Sequence, residues 1–401
     1  MRSALRAAGK GLGHVSPNPL VGAALEHPAK SAAHRRFGGP HAERMLLDAI
    51  GSEAAGGTVH LTLEPCSHHG KTGPCADLLI EAGVRRVVVA TLDPNPSVRG
   101  RGVARLRKAG IEVEIGPGAR EALALNLPYF QRHLYERAWI ELKEAITLDG
   151  RVADSGGRSR WITGPEARRI VHRDRARADA LVIGAGTLRA DDPELTGRDT
   201  PGSTTTRIVI DSRLRISPEA RVWQAWHADS GGRRPGSEGR PIGRRDTPTV
   251  SGNFVRRSDG RWLRRPRLIL ATVRGVPGGR LERFRERGWE PWLLPARGGH
   301  VSLPALARRA AREGLHHLLV EAGPTLAQAW LEADLVDALT LYMAPKVLGG
   351  RFGWTGSFQS PLARAPHWES VALDRIGEEG CWRLRRPGVL DRMADDVHRI
   401  G

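Results

Sequence analysis

Three metal-liganding side chains held far apart in the chain constrain its fold more than any other feature. His41-Ala42-Glu43 is followed by Glu64-Pro65-Cys66 and then by Cys75. One imidazole and two thiolates are a set that takes Zn²⁺ and leaves a fourth position to water. His41, Cys66 and Cys75 are therefore the candidate ligands. A fold that uses them must bring a helix entry, a strand end and a loop exit to one point. Glu43, two residues from the proposed imidazole ligand, is placed to shuttle protons without binding metal.

This arrangement is that of the zinc nucleobase deaminases, in which metal-bound water attacks an amidine-like ring carbon and a glutamate moves the protons. Eight residues separate the two cysteines, against two in the commonest deaminase pattern. A structural zinc site is the competing reading, and His68 or His69 would supply its fourth ligand. Lys71 is either a phosphate contact or a solvated lysine. Asn18, in the rigid Pro17-Asn18-Pro19 turn, either reaches a substrate or caps the turn.

At 401 residues the chain is expected to form two domains. Three cysteines, two of them claimed by the metal, argue against a disulfide scaffold and for a reducing, cytoplasmic setting. The N-terminus shows no signal-peptide pattern, and no apolar run is long enough for a membrane span. The net charge of +18 raises a nucleic-acid partner as a possibility. Its distribution counts against one. From Asp229 to Arg267 there are eleven arginines against four acidic residues in a Gly/Pro/Ser-rich setting, which reads as a flexible basic insert. Elsewhere arginine lies on apparent helix faces. Neither nucleic acid nor membrane is expected as a partner.

Both halves alternate strand and helix patterns, which signals α/β layers. In the first half we expect a helix from Glu43, a strand at Thr58–Leu63, a helix at Cys75–Ala82, a strand at Val84–Ala90, a helix at Arg101–Ala109 and a strand at Ile111–Ile115. Helical sequence then runs from Ala119 toward His133, interrupted by Pro128. Ala29–His34 lacks the apolar pattern of a second hairpin strand. The second unit starts near Arg137. Its strands are expected at Ile140–Ile146, Ala180–Ile183, Ile208–Asp211, Leu268–Ala271, Leu318–Glu321 and Leu339–Met343. No dinucleotide fingerprint or Walker loop occurs. Gly184-Ala185-Gly186-Thr187 and Glu321-Ala322-Gly323-Pro324-Thr325 each follow a strand, where amides of a following helix can bind an anion. From residues alone, an anion- or nucleotide-binding domain and a purely structural one both stay open.

Taken together, these stretches resemble the bifunctional riboflavin-biosynthesis deaminase-reductases of bacteria. The resemblance rests on Pro17-Asn18-Pro19, on His41-Ala42-Glu43 and on the long run from Thr62 to Cys75. In the second half it rests on Leu148-Asp149-Gly150-Arg151, Trp161-Ile162-Thr163, Ala190-Asp191-Asp192-Pro193, Val320–Thr325 and Ala344-Pro345-Lys346. It implies a cytidine-deaminase-like three-layer domain over 1–137 and a dihydrofolate-reductase-like domain over 138–401, with the insert at 229–267. The implied cofactors are Zn²⁺ and NADPH. The implied substrate is a diamino-pyrimidinone ribosylamine 5′-phosphate, which is deaminated and then reduced from ribosyl to ribityl. NADPH would meet Trp161, Thr187, Asp191, Ser212, Gly323, Pro324 and Thr325. Substrate would meet Asn18, Ser159, Arg175, Leu195, Arg198 and Glu321, with Arg175 and Arg198 offering guanidinium forks to phosphate. Lys143 is the catalytic candidate of this half. Ala145 stands where Gly often lies beside NADPH, so its methyl group would crowd the cofactor. A homo-oligomer is expected. Two other readings remain: a reductase whose deaminase half is only structural, and a nucleic-acid base deaminase with an accessory domain.

Overall fold

The computed structural model describes residues 1–67, 73–196, 205–229, 254–256 and 262–400. His68, His69, Lys71, Arg198 and most of the basic insert lie outside them. The chain forms two compact units. One comprises Met1–Glu136, Ser258–Trp262 and Gly388–Gly401; the other comprises Arg137–Arg257 and Leu263–Pro387.

The first unit contains α1 (Arg2–Ala8), β1 (Gly22–Leu25), β2 (Lys30–Ala33), α2 (Ala42–Ile50), β3 (Thr58–Leu61) and α3 (Cys75–Glu81). There follow β4 (Arg86–Val89), α4 (Arg101–Lys108), β5 (Glu112–Ile115), α5 (Ala119–Leu125) and α6 (Leu127–Tyr135). Its sheet runs β2-β1-β3-β4-β5, antiparallel at the hairpin end and parallel from β3 onward. Helices α2, α3 and α4 pack side by side, and α5 and α6 belong to a second helical group, giving three layers. The buried Val87-Val88-Val89 run lies on β4, an interior strand, as a strand covered on both faces requires.

Two expectations are corrected here. A second hairpin strand does exist: β2 pairs with β1 from Gly22↔Ala33 to Leu25↔Lys30. It carries no apolar pattern because it is an edge strand, with Lys30 and Ser31 exposed and only Ala33 buried. The helical break also falls at Asn126, not at Pro128. Pro128 sits in the first turn of α6, where its missing N–H costs nothing. Asn126 is buried and clamps the backbone of Leu20, accepting from its N–H at 2.7 Å and donating to its carbonyl at 2.9 Å.

The second unit contains β6 (Trp139–Thr147), α7 (Pro165–Arg177), β7 (Ala180–Gly184), α8 (Ala185–Asp191), β8 (Thr206–Ile210) and α9 (Arg221–Asp229). The short strands β9 (Phe254–Arg256) and β10 (Trp262–Arg264) precede β11 (Leu268–Val273), α10 (Gly278–Glu286), β12 (Glu290–Leu294), β13 (Ala296–Arg297), β14 (His300–Val301), α11 (Leu303–Arg312), β15 (His317–Val320) and α12 (Pro324–Glu332). Last come β16 (Ala338–Ala344), β17 (Glu369–Ile376) and β18 (Glu379–Arg385), after which the chain returns to the first unit as α13 (Val389–Ile400). A nine-stranded sheet runs β12-β11-β8-β7-β15-β6-β16-β18-β17. Strands from β12 to β16 are mutually parallel, and β18 and β17 close the sheet antiparallel. Aliphatic residues of β6, β7, β15 and β16 make one core with Leu306, Ala307 and Trp330. Leu181, Val209 and Leu270 make another with Leu188, Leu281 and Phe284 on the opposite face.

Strand β18 buries Cys381 opposite Tyr342. Helix α13 belongs to the first unit. Its Asp391 pairs with Arg120 of α5, and its Asp396 accepts from Tyr135 Oη at 2.7 Å.

Candidate functional sites

In the first unit, two helix starts and one strand exit meet. His41 is the cap residue of α2, and Cys75 is the first residue of α3. Cys66 follows β3 on the loop that carries Glu64 and Pro65. The His41 Nδ1 lies 3.3 Å from Cys75 Sγ and 3.6 Å from Cys66 Sγ. All three ligand atoms fall within 4.8 Å of one another. The Cys75 amide donates to Cys66 Sγ at 3.3 Å, so a helix N-terminus supports that thiolate.

The electrostatics of this trio call for a cation. Hydrogen bonds from Cys75 and His41 pull Cys66 down to about 4, and the bond with Cys66 pushes His41 up to about 9. The Cys66 sulfur and burial then push Cys75 upward. Two adjacent thiolates become compatible when a dication replaces those protons, which is the donor chemistry of zinc. Glu43 is 3% exposed, and its Oε2 has no hydrogen-bond partner among the described residues. Burial raises its carboxyl above the usual range, and the orphaned oxygen suits a water on the open coordination position.

Three further residues hold this centre, and sequence reasoning passed over their roles. Glu64 is 4% exposed and accepts from four amides: Gly102 and Val103 at one oxygen (2.9 and 3.2 Å), Gly100 and Asp93 at the other (2.9 and 3.2 Å). It caps α4 and fixes the Pro65-Cys66 loop. A Cβ on Gly102 would fall 2.0 Å from the Pro65 carbonyl, so the loop needs glycine there. His34, also buried, bonds the Pro40 carbonyl through Nδ1 at 2.9 Å and Asn18 through Nε2 at 3.2 Å, and packs edge-on against His41. Asn18 is thus tied to the metal centre through His34. Asp93, from the Asp93-Pro94-Asn95-Pro96 turn, accepts from Tyr129 Oη at 2.9 Å, and burial pushes its carboxyl up to about 7.

In the second unit a cavity of about 1210 Å³ opens at the C-terminal ends of the parallel strands. Trp161, Thr187, Asp191, Ser212, Gly323, Pro324 and Thr325 all line it, as do Lys143, Ser159, Arg175, Leu195 and Glu321. A single drug-sized ligand takes ~300–1,000 Å³, so this space suits a long dinucleotide with a second ligand beside it. The Trp161 loop is tied down by Lys346, whose Nζ donates to the Trp161 and Ile162 carbonyls at 3.0 and 2.8 Å. Ser159 Oγ donates to Asp191 at 2.9 Å, and Ser212 Oγ accepts from the Val301 amide at 3.0 Å. A Cβ at Gly323 would meet Thr187 Oγ1 of α8 at 3.0 Å, a tight approach that glycine relieves. Ala145 lies at the wall and packs beside Tyr342.

Arg175 differs from expectation. Its fork is filled by Glu321, at 2.5 and 2.7 Å, and Lys143 Nζ lies 3.9 Å from the same carboxylate. Arg175 and Lys143 hold Glu321 down to about 2 against the cost of burying it. The trio therefore presents a pre-assembled polar cluster to the cavity, in place of an open phosphate fork.

Both halves of the chain match known protein families. Residues 1–91 match the cytidine and deoxycytidylate deaminase zinc-binding region, and residues 138–381 match the RibD C-terminal domain. The riboflavin biosynthesis protein RibD of Escherichia coli is 37% identical over 402 residues, covering 96% of this chain and 98% of that protein. That of Aquifex aeolicus is 34% identical, covering 87% of each. The crystal structure of a diaminohydroxyphosphoribosylaminopyrimidine deaminase/5-amino-6-(5-phosphoribosylamino)uracil reductase from Thermotoga maritima superposes with a TM-score of 0.75 at 30% identity, over 96% of this chain and 97% of that one. Acinetobacter baumannii RibD gives a TM-score of 0.77 at 28% identity, with the same coverage. With a zinc-type His/Cys/Cys centre in one unit and a dinucleotide-sized cavity in the other, the chain belongs to the RibD family of bifunctional riboflavin-biosynthesis deaminase-reductases.

Proposed function

We propose that the two reactions of this zinc- and NADPH-dependent enzyme are divided as follows. In the first unit His41, Cys66 and Cys75 hold zinc, which when bound lowers the pKa of a water at its open position. Glu43 accepts the proton from that water and later delivers it to the departing amine of the pyrimidine ring. Burial raises the Glu43 carboxyl above its usual range, which favours its taking that proton. Asn18, held by His34, meets the substrate from the side. The single observation that carries this assignment is the buried Glu43 oxygen, which has no partner among the described residues and lies beside the three-ligand cluster.

In the second unit the loops around Trp161, Thr187, Asp191, Ser212 and Gly323-Pro324-Thr325 hold NADPH, the source of hydride. Lys143, Arg175 and Glu321 orient the ribosyl phosphate for reduction. Lys143 lies beside Glu321 and is the group able to polarise the open-chain, imine-like C1′. Ser159 and Leu195 border the same space, and Arg198 is assigned to the substrate phosphate by the resemblance alone. The small-molecule pyrimidine substrate follows from the family. No helix among the described residues is long and apolar enough to cross a membrane. Cytoplasmic residence is supported by three free cysteines, and a homo-oligomer is our expectation, open to sedimentation analysis.

The test is an assay of the purified full chain with the diamino-pyrimidinone ribosylamine phosphate, reading ammonia and NADPH separately. Glu43→Gln should abolish ammonia release and leave reduction of pre-deaminated substrate intact. Lys143→Ala should do the reverse. Loss of both activities in either variant would contradict the division.

A further inference from the structure

Four arginines of the second unit gather around a second cavity, and the reactions described so far give them no role. The cavity holds about 570 Å³. Arg189 of α8, Arg215 of the loop after β8, and Arg280 and Arg283 of α10 line it. Leu214 and Phe284, both buried in the core beneath, form its apolar floor. Like charges repel, so gathering four of them beside one hollow is unfavourable unless something negative sits there. Glu282, which lies between Arg280 and Arg283 in sequence, pairs instead with Arg285, and Glu219 pairs with Arg287. None of the four guanidinium groups has a hydrogen-bond or ion-pair partner among the described residues.

Local structure holds these side chains at the rim. Asp211, 2% exposed, accepts from the amides of Arg213 at 3.1 Å, Ile216 at 2.8 Å and Arg215, which fixes the loop that carries Arg215. Arg280 and Arg283 are three apart on α10 and so share a face, while Leu281 and Phe284 turn into the core. Arg189 and Arg215 also line the large cavity, so the two spaces share a wall. That wall is remote from the reacting cluster. Lys143 is on β6 and Asp211 follows β8, three strands across in the order β8-β7-β15-β6. At about 4.8 Å per strand this is a span of ~14 Å.

We propose that Arg189, Arg215, Arg280 and Arg283 bind the 2′-phosphate on the adenosine half of NADPH, with the two arginines of α10 setting the preference for NADPH over NADH. The proposal rests on the reductase reading of this unit. A dinucleotide whose nicotinamide lies at the Lys143–Glu321 cluster carries its adenosine toward β8 and the shared wall. The 2′-phosphate is the group that NADPH has and NADH lacks. It is a compact anion, and each guanidinium offers it paired N–H donors. A hollow lined by one sign of charge over an apolar floor focuses its field on such a ligand.

The test measures calorimetric binding of NADPH and NADH to the full-length protein, and the KM of pre-deaminated substrate, in Arg280→Gln/Arg283→Gln. Both residues are exposed, so the fold is expected to tolerate the change. Arg308→Gln/Arg312→Gln on α11, also exposed, removes the same charge elsewhere. The α10 variant should bind NADPH about tenfold or more weakly, the effect of lost charge-assisted bonds. NADH should stay within roughly twofold, as nothing in it replaces the phosphate. The substrate KM should not change, and the α11 variant should match the unsubstituted protein for both nucleotides. Unchanged NADPH affinity in the α10 variant would overturn the proposal. So would an equal loss for NADH, which marks damage to the unit, or an equal loss in the α11 variant, which marks only the overall field of the protein. A raised substrate KM with NADPH unaltered would assign the basin to the substrate phosphate instead. If the unsubstituted protein binds NADPH and NADH alike, no site reads the 2′-phosphate and the proposal fails alone. If it binds neither, the reductase reading falls and the proposal with it.

Discussion

The Cys75 sulfur lies 3.3 Å from Nδ1 of His41, although the two residues are 34 positions apart. That closeness is built from two helix N-termini aimed at one point, with Cys66 entering between them. It makes the centre dependent on all three side chains. Cys75→Ala should bind less than about a tenth of the zinc of the unsubstituted protein, because a two-ligand site loses most of its affinity. Elemental analysis after dialysis measures this. Ammonia release should vanish, and NADPH-dependent reduction of pre-deaminated substrate should persist.

Glu64 supports the metal loop without touching metal. Replacing it by alanine strands four amides that now share one carboxylate. The expected loss is on the order of 3 kcal/mol in the first unit, with zinc held more weakly. Chemical denaturation followed with and without chelator reads both effects. Glu64→Gln keeps one acceptor oxygen and should fall between alanine and the original.

Gly102→Ala tests the same loop from the other side. Its Cβ would sit 2.0 Å from the Pro65 carbonyl, a distance no packing tolerates. The loop must shift, carrying Cys66 with it. Lower thermal stability and a weaker zinc affinity are expected together; a variant unchanged in both would show that the loop position is not enforced there.

Glu321 makes acid stability a readout of the second unit. Its carboxyl ordinarily titrates at 4.5 and is held at about 2 in the fold by Arg175 and Lys143. A depressed folded-state value means stability that is complete above pH 4.5 and lost as pH falls toward 2. The contribution is roughly 3 kcal/mol as an order of magnitude. Glu321→Gln should flatten the acid limb in that window. It should also destabilise the unit near neutrality, because Arg175 is left buried and uncompensated. Denaturation midpoints between pH 2 and pH 7 test both.

What the sequence made legible follows from how local the signals were. His41, Glu43, Cys66 and Cys75 stood out because metal chemistry needs rare residue types at strand and helix ends. The main strands of both sheets were readable because buried parallel strands are continuous apolar runs, as in Val87–Ala90 and Ala180–Ile183. Strand β2 was hidden because an edge strand needs no apolar pattern. Glu64 and His34 were hidden because their partners lie far away in sequence, and nothing local distinguishes a capping glutamate from a solvated one. The Arg175–Glu321 pair illustrates the same limit: each residue was readable as a substrate contact, but only the fold shows that they contact each other.

The most direct test of the account supplies the diamino-pyrimidinone ribosylamine phosphate to zinc-loaded protein and records ammonia and NADPH in parallel, with Glu43→Gln alongside. The account predicts ammonia release followed by stoichiometric NADPH oxidation in the unsubstituted protein. For Glu43→Gln it predicts neither, with NADPH oxidation restored by pre-deaminated substrate. NADPH oxidation without prior ammonia release, or ammonia release undiminished in Glu43→Gln, would contradict it.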